Sequence, residues 1–157
     1  MKIKLLSIGK TDDSALEALI QKYESRLKHY IQFSIEIISD LKNTKHLSQQ
    51  IQKEKEGNLI LSKISSSDRL IILDEKGTSY NSLEFSKFLQ KQMNSGIKQL
   101  VFVVGGPYGF SKNIYNKAQG KVSLSKMTFS HQMVRLFAIE QIYRGFTILK
   151  NEPYHHQ

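Results

Sequence analysis

Two short, uninterrupted apolar runs constrain the fold of this chain more than any other feature of its sequence. After a polar first residue, the segments Arg69–Leu73 and Gln99–Val104 contain apolar side chains only. Runs of this kind are typical of strands that are covered on both faces, as in parallel sheets flanked by helices. Between the two runs, Asn81 and Glu84 form the capping-box pattern that begins a helix. A helix between two buried strands indicates an α/β fold with a mainly parallel sheet flanked by helices.

The rest of the chain continues this alternation of strands and helices. We predict further strands at Lys2–Ile8, Phe33–Ile37 and Val122–Leu124. Capping residues and apolar residues at helical spacing indicate five helices: from Asp12 or Asp13 to Leu27, near Leu47–Lys55, from Asn81 to about Met93, from Ser111 to about Ala118, and from Gln132 to about Phe146. The last helix is apolar on nearly every face, which is typical of a helix that is buried or shared between the core and a partner subunit. No linker separates these elements, so we expect one domain over residues 1–157.

The chain is basic, with a formal net charge of +9 from 23 Lys and Arg against 14 Asp and Glu. This excess favours a polyanionic partner such as nucleic acid, although a solubilising lysine surface explains it equally well. There is no cysteine, which excludes disulfides, thiolate metal sites and cysteine nucleophiles. No apolar run approaches the length of a membrane span and no signal peptide is recognisable, so we expect a cytoplasmic protein.

Three loops follow predicted strands at the edge where parallel α/β sheets bind their ligands: Asp74–Gly77, Gly105–Gly109 and Leu124–His131. The glycines of the second loop allow a ligand to approach the backbone closely, and Pro107 stiffens it. A tight turn between a strand and a helix explains the same residues equally well. The loop matches neither nucleotide-binding glycine fingerprint, which argues against a phosphate cradle. The loop has a further possible role, in which its backbone N–H and C=O groups bind a purine ring.

Three histidines in the C-terminal part of the chain raise the question of a metal site. His155 and His156 are adjacent, which gives poor chelating geometry in an extended tail, and His131 is distant in sequence. The only carboxylate near the pair is that of Glu152. A solvated tail is therefore better supported than a metal site, and we expect no metal cofactor.

The last helix carries charged residues on an otherwise apolar surface. Glu140 and Arg144 are spaced for a salt bridge between residues four apart. Arg135 has Ile139 at that spacing instead of a carboxylate. A role for Arg135 in binding phosphate or orienting a substrate is therefore as well supported as a structural role.

Over its whole length the chain resembles the ribosomal RNA large subunit methyltransferase H family, the smallest of the SPOUT methyltransferases. The resemblance rests on segments along its full length: Met1–Lys10, Leu73–Gly77, Gly105–Gly109, Leu124–Thr128 with His131, Val134–Arg135, Glu140–Arg144 and Pro153–His155. Each segment alone is weak evidence, but their order and spacing in so short a chain are highly specific.

The resemblance implies a fold, an assembly and a reaction. Members have a trefoil knot in the C-terminal part of the sheet, an exception to unknotted topology, and are homodimers with the active site at the subunit interface. They transfer a methyl group from S-adenosylmethionine, without a metal, to N3 of a pseudouridine in 23S ribosomal RNA, at the position usually numbered 1915, on the assembled ribosome. The residues that would hold the cofactor are Leu73, Gly105, Gly106, Ser125, Lys126, Met127, Thr128, Phe129 and Ser130.

The resemblance also implies catalytic roles for four residues. His155 is our candidate for the general base or the substrate orienter, because histidine titrates near neutral pH. Tyr154 would stack on the target base or form a hydrogen bond with it. Arg135 and Arg144 would hold phosphates or favour the deprotonated imide.

The chain departs from the common pattern of the family in two places. It ends in Pro153–Gln157, where the family commonly ends Pro-Tyr-His-Arg, so the phosphate contact of that arginine is missing and His156 replaces it only weakly. Ser130 and Gln132 stand where prolines are common, which predicts a less rigid loop. A second interpretation is a non-catalytic ribosome-binding factor that keeps the fold and the basic face. The intact glycine turn and Tyr-His tail favour the enzyme.

Overall fold

A five-stranded parallel sheet forms the centre of the computed structural model, which describes residues 1–156 of the chain. Its strands are β1 (Lys2–Ile8), β2 (Gln32–Ile38), β3 (Arg69–Ser79), β4 (Gln99–Val104) and β5 (Gly120–Ser123). Their spatial order is β2-β1-β4-β3-β5, and each neighbouring pair is parallel. The predicted α/β class with a parallel sheet is confirmed, and the apolar run β4 is the central strand.

Helices cover both faces of this sheet. They are α1 (Ser14–Leu27), α2 (Gln49–Ser62), α3 (Ser82–Asn94), α4 (Lys112–Lys117) and α5 (His131–Leu149), with a 3-10 turn at Thr44–His46. Helices α1, α3 and α5 pack on one face, and α2 and α4 on the other. In β4, Leu100, Phe102 and Val104 belong to the first core, whereas Val101 and Val103 belong to the second. This burial on both sides explains the uninterrupted apolar run.

Two helix caps lie where the sequence predicts them. Asp13 Oδ1 accepts hydrogen bonds from the N–H groups of Ala15 and Leu16 at 2.8 and 3.1 Å. Asn81 Oδ1 accepts from Glu84 N at 2.9 Å, and Glu84 Oε2 accepts from Asn81 N at 2.8 Å, which completes the capping box. Each cap satisfies N–H groups that have no partner within the helix and contributes about 1 kcal/mol to stability.

The second helix is longer and less exposed than predicted. We expected an exposed helix near Leu47–Lys55, whereas α2 continues to Ser62 and buries both Glu56 and Gly57. Gly57 permits close packing against α4, because a Cβ at this position would lie 2.3 Å from Ser111 Oγ. The prediction was too short because a carboxylate and a glycine lie beside Ile60 on the buried side of the helix and interrupt its apolar pattern.

The third strand extends beyond its predicted end. The segment Asp74–Gly77, predicted as a turn after the strand, lies inside β3, which continues to Ser79. Leu73 and Thr78 both pair with Val122 of β5, so the residues between them bulge out of the ladder. The strand therefore loops outward at the carboxyl edge of the sheet and then returns to it.

The last strand and the last helix are shifted from their predicted bounds. β5 covers Gly120–Ser123 instead of Val122–Leu124. α5 begins at His131 and ends at Leu149, so it exceeds the predicted helix at both ends. No helix within residues 1–156 is long and apolar enough to cross a membrane.

Candidate active site

A cleft of about 670 Å³ opens at the carboxyl edge of the sheet, beside the bulge of β3 and beyond the end of β4. Its walls come from the three loops that the sequence indicates: the bulge of β3 at residues 74–76, the turn Gly105–Gly109, and residues between Leu124 and His131. The volume falls within the range of about 300–1,000 Å³ that is usual for small-molecule sites. The position is the one at which parallel α/β sheets bind ligands.

The glycine turn between β4 and α4 brings bare backbone to the wall of the cleft. Gly109 has φ of 77°, in the left-handed region that glycine adopts at no steric cost, and its N–H donates to Gly106 O at 3.1 Å. A Cβ at Gly105 would lie 3.1 Å from the Phe110 ring, and a Cβ at Gly106 would lie 2.5 Å from Glu56 Oε2. Protein atoms therefore pack directly behind the turn.

The loop between β5 and α5 forms the second wall. Ser125 Oγ accepts a hydrogen bond from Met127 N at 2.9 Å, and Ser123 Oγ donates to Ser125 O at 2.9 Å. The ring centre of Phe129 lies 4.9 Å from that of Phe137 on α5. The side chain of Met127 is 74% exposed, so a large apolar group stands open to solvent beside the cleft.

This loop is anchored where α5 begins. Ser130 Oγ accepts from Met133 N at 3.3 Å. Gln132 Oε1 accepts from Asp12 N at 3.0 Å, and Gln132 Nε2 donates to Asp12 Oδ2 at 3.1 Å. Hydrogen bonds thus hold Ser130 and Gln132 at the start of α5, and the lower rigidity expected for this loop stays a prediction. Eight of the nine residues predicted to hold a cofactor line the cleft; Lys126 does not.

Polar and charged side chains line the cleft as well, and two of them, Lys53 and Tyr115, were not assigned to a site from the sequence. Asp74 accepts hydrogen bonds from the Tyr115 hydroxyl and, at 2.8 Å, from Lys76 N. Burial and the bond to Asp74 raise the pKa of Tyr115 to about 12. Lys53 and Glu75 line the cleft as well, so it carries charges of both signs. No sequence pattern indicated Lys53 or Tyr115, because α2 and α4 reach the cleft only through tertiary packing.

Arg135 lies next to the cleft-lining Val134 but is itself only 3% exposed. Its Nη2 donates to Ile8 O at 2.6 Å and its Nη1 donates to Thr11 Oγ1 at 3.0 Å. Burial lowers the pKa of Arg135 below its ordinary value. These contacts tie α5 to the end of β1, and the predicted role in holding phosphate or substrate stays a prediction.

The other three predicted catalytic residues meet near the far end of α5. The Tyr154 hydroxyl donates to Glu140 Oε1 at 3.0 Å and lies 3.1 Å from the Tyr23 hydroxyl. Arg144 also donates to Glu140 Oε1, which confirms the predicted salt bridge. The Arg144 guanidinium lies 4.7 Å from the centre of the Tyr154 ring, and its Nη1 lies 3.4 Å from His155 Nδ1.

We call the group of Tyr23, Glu140, Arg144, Tyr154 and His155 the tail cluster. Its contacts fix the protonation state of two members. Burial and the hydrogen bonds to Tyr23 and Glu140 raise the pKa of Tyr154 far above neutral pH, so it is a neutral phenol. The bond to Glu140 raises the pKa of Arg144, so it is a cation. The rings of Tyr143 and Tyr154 pack edge to face, with ring centres 4.8 Å apart. Sequence reasoning missed Tyr23 because it counted this residue only as an apolar position of α1.

The cleft lies beside the first turn of α5, whereas the tail cluster contacts α5 from Glu140 onward. His131 lines the cleft and Arg144 belongs to the cluster, and thirteen helical residues at 1.5 Å each separate them by about 20 Å. Arg144, Tyr154 and His155 therefore do not line the cleft of their own chain, whereas Arg135 lies beside it. Gln157, part of the altered end, lies outside the described residues. Within residues 1–156, no three His, Asp or Glu side chains are grouped as a metal site.

Comparisons with known proteins agree over the full length of the chain. The family model described as predicted SPOUT methyltransferase matches residues 1–155. A ribosomal RNA large subunit methyltransferase H of Flavobacterium johnsoniae is 68% identical over 157 residues, with 100% of both chains covered. Proteins of the same name from Flavobacterium psychrophilum and Parabacteroides distasonis are 67% and 58% identical, again with 100% of both chains covered.

Proposed function

Since the chain belongs to the SPOUT methyltransferase family, we propose that it methylates large-subunit ribosomal RNA with S-adenosylmethionine as the methyl donor. The nucleotide we propose is the pseudouridine usually numbered 1915 in 23S ribosomal RNA, modified at N3 on the assembled ribosome. The observation that carries the proposal is the cleft between the glycine turn and the loop before α5, in a chain whose full-length relatives are named ribosomal RNA methyltransferases. We also propose that the C-terminal part of the chain forms a trefoil knot and that the protein is located in the cytoplasm.

The cleft suits a cofactor that contains a nucleoside. Bare backbone at Gly105 and Gly106 offers N–H and C=O groups, and Leu73, Met127 and Phe129 offer apolar surface. When bound, S-adenosylmethionine supplies a methyl carbon that its sulfonium makes electrophilic. The residues that we propose to hold it are Leu73, Gly105, Gly106, Ser125, Lys126, Met127, Thr128, Phe129 and Ser130.

The remaining work of the protein is to align N3 with the methyl group and to remove the N3 proton. Holding two reactants in line supplies roughly 7–11 kcal/mol of a barrier, and a general base adds about 10²–10⁴-fold in rate. We assign the base to His155, because imidazole accepts protons near neutral pH whereas Tyr154 is held as a neutral donor by Glu140. We also propose that Arg144, a cation beside His155, stabilises the developing imide anion or binds a phosphate.

Of the two roles considered for Arg135, the structural one has contacts that support it. Its guanidinium binds the backbone of Ile8 and the side chain of Thr11, both outside the cleft. We therefore propose that Arg135 fixes the start of α5 to the end of β1. The loop between β5 and α5 is held in place through the same contacts.

A homodimer would complete the site. His131 at the cleft and Arg144 in the tail cluster of one chain are about 20 Å apart along α5. A two-fold axis across antiparallel α5 helices would bring the cleft of each protomer to the tail of its partner. The exposed Met127 and Phe129, and the nearly all-round apolar surface of α5, would contribute to the interface.

Methyl transfer to ribosomes tests this function. Ribosomes from a strain without the modification would be incubated with the protein and labelled S-adenosylmethionine, and the RNA fragments mapped by mass spectrometry. We expect one methyl group per large subunit, on N3 of the pseudouridine. Transfer to another nucleotide would overturn the substrate. Cofactor binding without any transfer would favour the non-catalytic ribosome-binding factor.

A further inference from the structure

A buried carboxylate lies directly behind the glycine turn of the cleft. Glu56 is only 4% exposed, and its Oε1 accepts a hydrogen bond from Gln52 Nε2 at 2.9 Å. Its Oε2 is fully buried and has no hydrogen-bond partner among the residues that the structure describes. A Cβ built on Gly106 would lie 2.5 Å from this oxygen. The carboxylate thus touches one side of the Gly106 backbone, and Gly106 itself lines the cleft.

This arrangement is unfavourable for the empty protein. A buried acidic group with one neutral hydrogen-bond donor loses most of its hydration without recovering it. Burial raises the pKa of Glu56, and the nearby Asp40 carboxylate raises it further, while Gln52 and His131 oppose the shift. A positive charge in the cleft would stabilise the ionised form in the same way as His131 does.

Glu56 is buried more deeply than the four other charged groups at the cleft. Lys53, Asp74, Glu75 and Lys76 line it, and they balance as two positive and two negative groups. Glu75 and Lys76 are exposed, so water and salt screen them. Glu56 is shielded from solvent and is therefore screened much less.

We propose that Glu56 determines the preference of the cleft for the cationic methyl donor over its neutral product. The proposal rests on the proposed function. When the sulfur–methyl bond breaks, its electron pair stays on sulfur, so the sulfonium becomes an uncharged thioether. The positive sulfonium of the donor stabilises the ionised carboxylate behind Gly106, and the neutral product does not. The carboxylate therefore favours exchange of spent cofactor for fresh donor, and the glycine allows it to approach the cleft this closely.

Calorimetric affinities for S-adenosylmethionine and S-adenosylhomocysteine test this role in three proteins. Glu56→Gln keeps the shape of the side chain and removes the charge. Glu54→Gln is the matched control, because Glu54 lies on the same helix, accepts from Gln50 Nε2 at 2.7 Å, and is exposed. We expect E56Q to reduce the preference for S-adenosylmethionine about fivefold, with product affinity nearly unchanged, and E54Q to leave the preference intact.

Other outcomes separate the possible failures. Equal weakening of both ligands in E56Q, or an unchanged preference, would overturn the role of Glu56 while the proposed function stands. Failure of the wild-type protein to bind either ligand would overturn the proposed function itself. If E56Q does not fold, the wild-type preference would be measured from 0.05 to 0.5 M salt. If the preference persists at high salt, it arises from a buried charge, which supports the proposal. If the preference disappears, it arises from surface charges, which contradicts the proposal.

Discussion

The Tyr154 hydroxyl donates a hydrogen bond to Glu140 Oε1 at 3.0 Å, which fixes the C-terminal tail to α5. Because the carboxylate of Glu140 only accepts, the Tyr154 oxygen is left to accept from the Tyr23 hydroxyl at 3.1 Å. This chain of three groups sets the position of the next residue, His155. The geometry of the proposed base therefore depends on residues of α1 and α5 that have no direct part in the chemistry.

Tyr154→Phe should slow methyl transfer without weakening cofactor binding. Loss of a hydrogen bond to a charged group costs roughly 1.5–3 kcal/mol, so we expect the transfer rate at saturating cofactor to fall about tenfold or more. Single-turnover kinetics on ribosomes and calorimetry with S-adenosylmethionine would measure the two effects. Tyr80→Phe is the control, because the Tyr80 ring packs on Phe85 and Phe88 away from the tail. A normal rate in Y154F would contradict the positioning role.

Gly109→Ala should lower cofactor affinity for a conformational reason. Gly109 has φ of 77°, which costs a residue with a Cβ roughly 1–2 kcal/mol, although no atom lies within 4 Å of the added Cβ. Gly96→Ala is a matched control, since Gly96 has φ of 76°, equally open surroundings and a position outside the cleft. We expect similar losses of stability in thermal unfolding but weaker S-adenosylmethionine binding only in G109A. Equal affinities in the two variants would remove the glycine turn from the cofactor site.

Asn81→Ala should destabilise the fold by about 1 kcal/mol through loss of the α3 cap. The expected decrease in the denaturation midpoint would be seen in urea unfolding followed by circular dichroism. Asn58→Ala is the comparison, because Asn58 is exposed in the interior of α2 and alanine has the higher helix propensity. If N81A were as stable as N58A, the capping box would contribute nothing to stability.

Stability should fall at alkaline pH partly through Tyr115. Its pKa is raised in the folded protein from 10.0 to about 12, first by burial and then by Asp74. A group whose folded pKa is raised stabilises the fold below its unfolded pKa, and the contribution is lost as pH rises through the folded value. Between pH 10 and 12, Tyr115→Phe should therefore lose less stability than the wild type. Urea unfolding at both ends of this interval measures the difference.

Tyr108→Phe provides the control for this alkaline loss. Tyr108 also lines the cleft, but it is 44% exposed. We expect its variant to follow the wild-type curve. Identical curves for wild type and Y115F would show that the bond to Asp74 does not hold the proton on Tyr115.

Sequence patterns predicted the parts of the molecule that depend on neighbours along the chain. The buried run Gln99–Val104 and the cap at Asn81 each report a local preference, and both are confirmed. The predictions for the end of α2 and for the segment Asp74–Gly77 were wrong, because both features depend on packing partners elsewhere in the chain. Gly57 packs on Ser111 of α4, and the bulge forms because β5 pairs with β3 on both sides of it.

The candidate site shows the same division. The three cleft segments were recognisable because each follows a predicted strand, although Asp74–Gly77 lies inside β3. The tail cluster joins Tyr23 to Tyr154 across 131 residues, and no spacing rule reports such a contact. Glu56 was equally hidden, because a glutamate in a polar, lysine-rich segment is normally exposed and only the fold places it behind Gly106.

Subunit mixing tests most directly the central claim that methyl transfer needs the cleft of one protomer and the tail of its partner. Gly106→Val would disable the cleft and His155→Ala the tail, and each variant alone should be inactive on ribosomes. In a mixture of equal parts, half of the dimers are mixed and each has one intact site of two. We therefore expect about a quarter of wild-type activity to return. No return of activity, with mixed dimers confirmed by mass spectrometry, would contradict a shared site.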